Sequence, residues 1–319
     1  MRRLDRDRKL HRLRAGAYVR ASEWEALPPW ERYRLRVEAV ALTWSSPVFC
    51  LESAAVLLGG LPVFGEPRDI HLLSPDGHSW REGDVAVHAS QDQREPALIG
   101  GALLTSLADT TVDLCRVLPP AFALATADAA LRSLAAQGRT LAVADHGRAQ
   151  ANRRGLRRLD WVQDRATPIA ESPGESVSRA AIEWLGYEEP ELQQEFRYEG
   201  ARDRADFYWR RLRRIGESDG YGKYDADDVD SARAHFVREK LREDRLRRHE
   251  HGFIRWDWGD CIRWKQLDTK LAAGGLTPVR PPSPGMLASL GANPRSLDRR
   301  VKGNAPKPRA SHSVSTPIP

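Results

Sequence analysis

The residues that decide the fold read Arg204-Ala205-Asp206-Phe207-Tyr208-Trp209 and, after a short gap, Ile215-Gly-Glu217-Ser-Asp219-Gly220-Tyr-Gly222. Aromatic and β-branched residues bounded by turn residues are typical of strands, and a connection of about five residues allows two strands to form a hairpin. Alternation along a strand puts Glu217 and Asp219 on one face. A register that brings Asp206 opposite them would gather three carboxylates within a few ångströms.

Three carboxylates at that separation repel one another strongly in a cleft. A hard divalent cation relieves the repulsion, because Mg²⁺ takes oxygen ligands. We therefore expect Asp206, Glu217 and Asp219 to form one site for Mg²⁺ or Mn²⁺.

Further pieces surround this hairpin in a fixed order. They are Glu171-Ser-Pro-Gly-Glu175-Ser-Val-Ser-Arg179 at the start of a helix, Pro190-Glu-Leu-Gln-Gln194 at the start of a strand, Glu239-Lys240-Leu-Arg242-Glu243 on a later helix, and Arg255-Trp256-Asp-Trp258 on a final strand. The ordered set resembles the PD-(D/E)xK nuclease superfamily, most of all the branch related to the very-short-patch-repair endonuclease. The resemblance implies a restriction-endonuclease-like fold in which Asp206 and Glu217 are the two acidic motif residues.

The resemblance also implies roles for residues around the two acids. A glutamate on the first helix faces the active site, which is the position of Glu175, although Ser172-Pro-Gly-Glu175 also reads as a helix cap. The motif lysine is replaced by Asp219, as in the related branch, so either Lys223 or Lys240 would serve; both could equally be surface residues. Arg179 and Arg242 are the candidate contacts to DNA. Ala205 stands where the motif has proline.

The chain has 319 residues and a net charge of +6, with 50 basic and 44 acidic residues, which permits nucleic-acid binding without requiring it. Cys50, Cys115 and Cys261 are widely spaced and lie beside apolar residues, so we expect buried thiols in a reducing cytoplasm. No apolar run is long enough for a membrane span, and the basic N-terminus does not look like a secretory signal. The spacing of His71, His88 and His146 does not favour a metal site.

The N-terminal part carries a second resemblance. Leu13-Arg-Ala-Gly16-Ala-Tyr18-Val19 looks like the wing of a winged helix-turn-helix, and a solvated basic arm is the alternative. Leu51-Glu-Ser-Ala-Ala55, Thr105-Ser-Leu-Ala-Asp109 and Ala127-Asp128-Ala-Ala-Leu131 resemble the abortive-infection antitoxins of type IV toxin–antitoxin systems, over about residues 10–160. That resemblance implies an α/β packing domain and, as a partner, a cognate toxin.

Together these patterns predict an α/β protein with four segments. Residues 1–22 form a basic arm, 23–162 an antitoxin-like α/β domain, 163–272 a nuclease-like domain with a mixed central sheet flanked by helices, and 273–319 a disordered tail, since the last segment is rich in Pro, Gly and Ser. The function we expect is a metal-dependent DNA endonuclease or a nuclease-derived DNA-binding protein. The alternative is a non-enzymatic antitoxin or transcriptional regulator that binds DNA.

Overall fold

The computed structural model describes residues 9–92, 94–219 and 229–300. The protein is mixed α/β: a six-stranded mixed sheet in the first half and a four-stranded mixed sheet in the second, with helices packed around both. The predicted fold class is therefore confirmed.

The first half opens with a hairpin, β1 (Leu10–Arg14) and β2 (Ala17–Arg20). The hairpin is not a free arm, because Arg14 Nη2 lies 2.7 Å from Asp84 Oδ1 and Ala17 is buried. The prediction of a solvated basic arm is thus wrong for residues 9–20, while residues 1–8 lie outside the described part of the chain.

The helices of the first half pack around its sheet. They are α1 (Ala21–Ala26), α2 (Pro29–Thr43), α3 (Leu51–Leu58), α4 (Leu107–Val117), α5 (Pro120–Ala135), α6 (Val143–Ala149) and α7 (Leu156–Gln163). The strands are β3 (Val48–Phe49), β4 (Ile70–Leu73), β5 (Trp80–Glu82), β6 (Val85–His88), β7 (Ala97–Ile99) and β8 (Ala102–Leu104), in the order β5-β6-β4-β3-β8-β7. Gly100 and Gly101 both have positive φ, so the apolar run around them folds back into two strands.

The second half runs helix, three strands, helix, strand. Its elements are α8 (Pro173–Leu185), β9 (Glu191–Tyr198), β10 (Ala201–Trp209), β11 (Arg214–Asp219), α9 (Val229–Arg248) and β12 (Gly252–Asp257), followed by α10 (Trp258–Ile262) and α11 (Lys265–Ala273). The strand order is β12-β11-β10-β9; β11 and β12 are parallel, and the other neighbours are antiparallel. This is the order of pieces on which the nuclease resemblance rests, and β10 and β11 form the expected hairpin.

One hydrophobic core connects the two halves. Phe122 of α5 stacks on Phe64 with ring centroids 4.3 Å apart, and it lies 6.1 Å from the indole of Trp258, which opens α10. Helices α5 and α8 pack directly on one another, with Ala180 and Ala181 of α8 buried. The predicted segments 23–162 and 163–272 therefore share packing across their boundary.

The prediction of a disordered tail from residue 273 is wrong for residues 274–300. Leu276, Leu287 and Leu290 are buried, and α12 (Pro284–Ala288) packs against α8. The segment continues to the first half, where Arg295 Nη2 lies 2.6 Å from Glu52 Oε2. Its apolar residues follow no helical or strand period, so composition conceals them, yet they fill gaps in the core. Residues 301–319 lie outside the described part of the chain.

Two other expectations concern the cysteines and membrane-spanning helices. Cys50, Cys115 and Cys261 are buried free thiols, as predicted. In the ranges given above, no helix has the length and apolar character needed to cross a membrane.

Candidate active site

The first helix of the second half places Glu175 in the interior. Ser172 is the N-cap residue: its Oγ accepts from the Glu175 N–H at 3.2 Å, and its hydroxyl donates to Glu175 Oε1 at 2.8 Å. The expected cap is confirmed, but the carboxylate also accepts from the Glu171 N–H at 2.9 Å and from Gln193 Nε2 at 2.8 Å. Glu175 is only 5% exposed, so the cap and the sheet hold it in one position.

The hairpin brings the two motif acids to the same place. Phe207 pairs with Gly216, so the same antiparallel register sets Asp206 opposite Glu217 one step further along. The Ser218 N–H donates to Asp206 Oδ2 at 3.0 Å and fixes that carboxylate between the strands. Gly216 is needed here, because a Cβ would come within 2.6 Å of Trp256.

Asp206 links the two glutamates electrostatically. Burial and, to a smaller extent, the charge of Asp206 together raise the pKa of Glu175 to about 7. The same two causes, in the same order, raise the pKa of Glu217 to about 7, and Arg242 opposes them. Glu175, Asp206 and Glu217, which we call the carboxylate cluster, therefore lie within each other's fields although they come from α8, β10 and β11.

Asp219 occupies a different setting from the cluster. It lies two residues beyond Glu217 on β11, but its side chain is half exposed and its Oδ1 is 3.3 Å from Arg255 Nη1. Arg255 pairs with Glu217 across the parallel strands β11 and β12. The structure thus adds Glu175 to Asp206 and Glu217, and it pairs Asp219 with an arginine at the rim.

The cation beside the cluster is an arginine. Arg242 of α9 is largely buried, and its Nη2 lies 2.6 Å from Glu217 Oε1. We predicted Arg242 as a DNA contact; in this structure it neutralises Glu217. Lys240 is exposed on the same helix, and Lys223 lies outside the described residues. Neither lysine can therefore be assigned to the site from the geometry.

Arg179, the other predicted DNA contact, lies in a helix interface. Its Nη1 is 3.0 Å from Asp128 Oδ2, and its Nη2 donates to the Arg165 carbonyl at 2.7 Å. Asp128 is fully buried on α5, and burial raises its pKa to about 6, although Arg179 opposes the rise. This ion pair joins α5 to α8.

Sequence reasoning missed Gln193 and Arg255 as members of the site. Ala205 pairs with Gln194 and Phe207 with Leu192, so Gln193 lies beside Asp206 on the neighbouring strand, with a φ of 52°. Its contact with Glu175 depends on the register of β9, which local sequence does not fix. Arg255 could have been identified by pairing the last strand with β11, but the sequence does not show that these strands are parallel neighbours.

Whether a metal ion fits the carboxylate cluster depends on the donor atoms of the cluster and on the partners that those atoms already have. All donors in the carboxylate cluster are oxygens, the kind that Mg²⁺ and Mn²⁺ prefer. In residues 9–92, 94–219 and 229–300, however, no group of three or more His, Cys, Asp or Glu side chains is arranged to hold a metal ion. A cation at the cluster would have to replace Arg242 as the partner of Glu217.

Comparison with known proteins finds relatives of this chain but indicates no activity for it. No protein-family model matches it, and no solved structure does. Two Mycobacterium tuberculosis proteins, "Uncharacterized protein Rv2248" of strain H37Rv and "Uncharacterized protein MT2308" of strain CDC 1551 / Oshkosh, are each 32% identical over 200 residues, which is 61% of this chain and 68% of the relative. The chain belongs to the same family as these two mycobacterial proteins.

Proposed function

We propose that the second half of the chain is a metal-dependent DNA endonuclease whose centre is the carboxylate cluster. The observation that carries this proposal is the convergence of two buried glutamates, Glu175 and Glu217, on Asp206, whose charge acts together with burial to raise the pKa of each to about 7. A fold does not gather buried acids around a third one without cost, and perturbed acids concentrate at functional sites. The proposal also places the protein in the cytoplasm with DNA.

The proposal gives each residue of the cluster a role. Asp206 and Glu217 would hold Mg²⁺ or Mn²⁺, with Glu175 or Asp219 in support; the bound ion would acidify an attacking water and neutralise charge on the phosphate. Gln193 and the Ser172 hydroxyl orient Glu175. With a pKa near 7, Glu175 can hold or release a proton at neutral pH.

Two arginines would bind phosphates of the DNA backbone. Among the described residues, Arg242 and Arg255 are cations whose charges act on Glu217, and Arg255 is about a third exposed. A guanidinium released from its carboxylate partner can bind a phosphate through two parallel hydrogen bonds. Binding of the metal ion to Glu217 would free Arg242 for this contact, which would link metal binding to substrate binding.

A non-enzymatic DNA-binding regulator or antitoxin, with a cognate toxin as partner, is the second candidate. The observation that favours it is the Arg242–Glu217 ion pair, which already gives one carboxylate of the cluster a cationic partner. The β1–β2 hairpin has the shape expected of a wing. Such a protein would bind DNA equally well with or without a divalent ion.

The experiment is thermal denaturation with and without millimolar Mg²⁺ or Mn²⁺, alongside nicking of a supercoiled plasmid. Wild type should gain stability from the ion, by about 2.7 kcal/mol at one hundred times Kd. Asp206→Ala and Glu217→Ala should abolish both the gain and the nicking. Glu191→Gln is the matched control, since Glu191 is a half-exposed strand carboxylate paired with Arg210. No gain and no nicking by wild type would refute the nuclease and favour the regulator.

A further inference from the structure

A polar cavity lies in the first half of the chain. It measures about 650 Å³, and its polar walls include Arg94, Arg116, Arg154, His88, Asp92 and Asp113. A cavity of several hundred Å³ is typical of small-molecule sites. The described residues that line it all lie between 50 and 154, so it is separate from the carboxylate cluster.

The two carboxylates of this cavity share one arginine as their ion-pair partner. Asp113 accepts from both terminal nitrogens of Arg94, one of them at 3.0 Å, and Asp92 lies 3.4 Å from the same guanidinium. Asp92 Oδ1 also accepts from the Ala151 N–H at 2.6 Å. One arginine thus pairs with both acids; in the described part of the chain no other arginine lies within ion-pair distance of either acid, although the charges of both act on Arg116 at longer range.

Arg116 is a buried cation whose hydrogen-bond acceptors are all neutral. The residue is 7% exposed, and its guanidinium donates to the carbonyls of Gly147, at 2.7 Å, and of Arg154, and to Gln150 Oε1 at 3.2 Å. Within the described residues, its Nε is buried without a hydrogen-bond partner and no carboxylate lies within ion-pair distance. Burial lowers the pKa of Arg116, and the charges of Asp113 and Asp92 offset only part of that effect, so an anion in the cavity would stabilise the guanidinium further.

His88 adds a neutral donor to the same wall. Arg295 Nη2 lies 3.0 Å from His71 Nε2, and a guanidinium can only donate, so His71 Nε2 is an acceptor. The proton of neutral His71 is then on Nδ1, which donates to His88 Nε2 at 2.9 Å. His88 therefore accepts through Nε2 and carries its own proton on Nδ1. Burial lowers the pKa of His88, which favours this neutral form.

From these contacts we infer that the cavity binds a small organic phosphate. Arg116 supplies a buried charge that Asp113 and Asp92 compensate only in part, Arg154 an exposed guanidinium at the edge, and His88 an N–H donor. A phosphate offers several acceptor oxygens and so can satisfy donors that converge from different sides, whereas a halide or a neutral solute cannot. The volume leaves room for an organic group beside the phosphate. This site does not depend on the proposed nuclease activity.

The test is calorimetric titration of the full chain with inorganic phosphate and with adenosine 5′-monophosphate, at constant ionic strength and with EDTA present. Both ligands should bind, and the nucleotide should bind more tightly if the organic group occupies the cavity. Arg154→Ala should weaken binding about tenfold, in the range of one charge-assisted hydrogen bond. His88→Ala should weaken it as well, without any need to alter the buried Arg116.

A matched control distinguishes binding in this cavity from nonspecific attraction of phosphate to exposed arginines. Arg157→Ala removes an equally exposed arginine that does not line the cavity, and it should leave the affinity unchanged. Absence of binding to wild type, or equal weakening by Arg154→Ala and Arg157→Ala, would overturn the inference.

Discussion

The charge on Asp206 gives the sharpest test of the carboxylate cluster. Each glutamate has a folded-state pKa of about 7 against an ordinary value of 4.5. A rise of that size corresponds to about 3 kcal/mol for each carboxyl group. Because the folded-state pKa of each glutamate is raised, its contribution to the free energy of unfolding is fully present below pH 4.5. This contribution is lost as the pH rises through about 7. Wild type should therefore become less stable between pH 5 and pH 8.

Asp206→Asn removes the charge but keeps the hydrogen bond. The amide oxygen can accept from the Ser218 N–H, as Asp206 Oδ2 does at 3.0 Å. Burial is the larger cause of both shifts, so the substitution should restore only part of the loss, about 1–2 kcal/mol at pH 8. At pH 5 the two glutamates are mostly protonated in either protein, and the gain should shrink.

Urea denaturation of both proteins at pH 5 and pH 8 measures this difference, since the other titrating groups cancel between them. Asp219→Asn is the control, because Asp219 is half exposed and pairs with Arg255 at the rim; it should leave the pH dependence unchanged. The reasoning fails if Asp206→Asn follows the same pH dependence as wild type, or if it is less stable at pH 8.

Three further predictions concern other parts of the chain. Truncation after residue 274 should lower the melting temperature by several degrees because it removes three buried leucines and the Arg295–Glu52 ion pair. Truncation after residue 300 serves as the control, and equal melting curves for the two truncated proteins would contradict this prediction. Arg179→Ala should destabilise the fold by about 3–5 kcal/mol, because it leaves Asp128 buried without its partner; chemical denaturation measures this, and a loss under 1 kcal/mol would show that the pair is not needed. Binding to duplex DNA should weaken steeply between low and moderate salt if phosphates dominate it, and affinities that do not change with salt would exclude that mode.

Local sequence was sufficient for the elements and for the acids of the hairpin. The aromatic residues up to Trp209 and the Ser172 cap act through neighbours in the chain, so the strand and the helix start follow from short-range chemistry. Alternation and a short connection also suffice to place Asp206 near Glu217. The same reasoning predicted the buried cysteines, because each lies in an apolar stretch.

Tertiary structure decided which charges meet. The register of β9 brings Gln193 to Glu175, the parallel pairing of β11 with β12 brings Arg255 beside Glu217, and the docking of α9 brings Arg242 to the same carboxylate. These contacts join residues far apart in the chain, and no local pattern encodes the register or the docking that produces them. The segment 274–300 shows the same principle: its composition is that of a disordered tail, but its few leucines are buried because the folded body offers gaps that fit them.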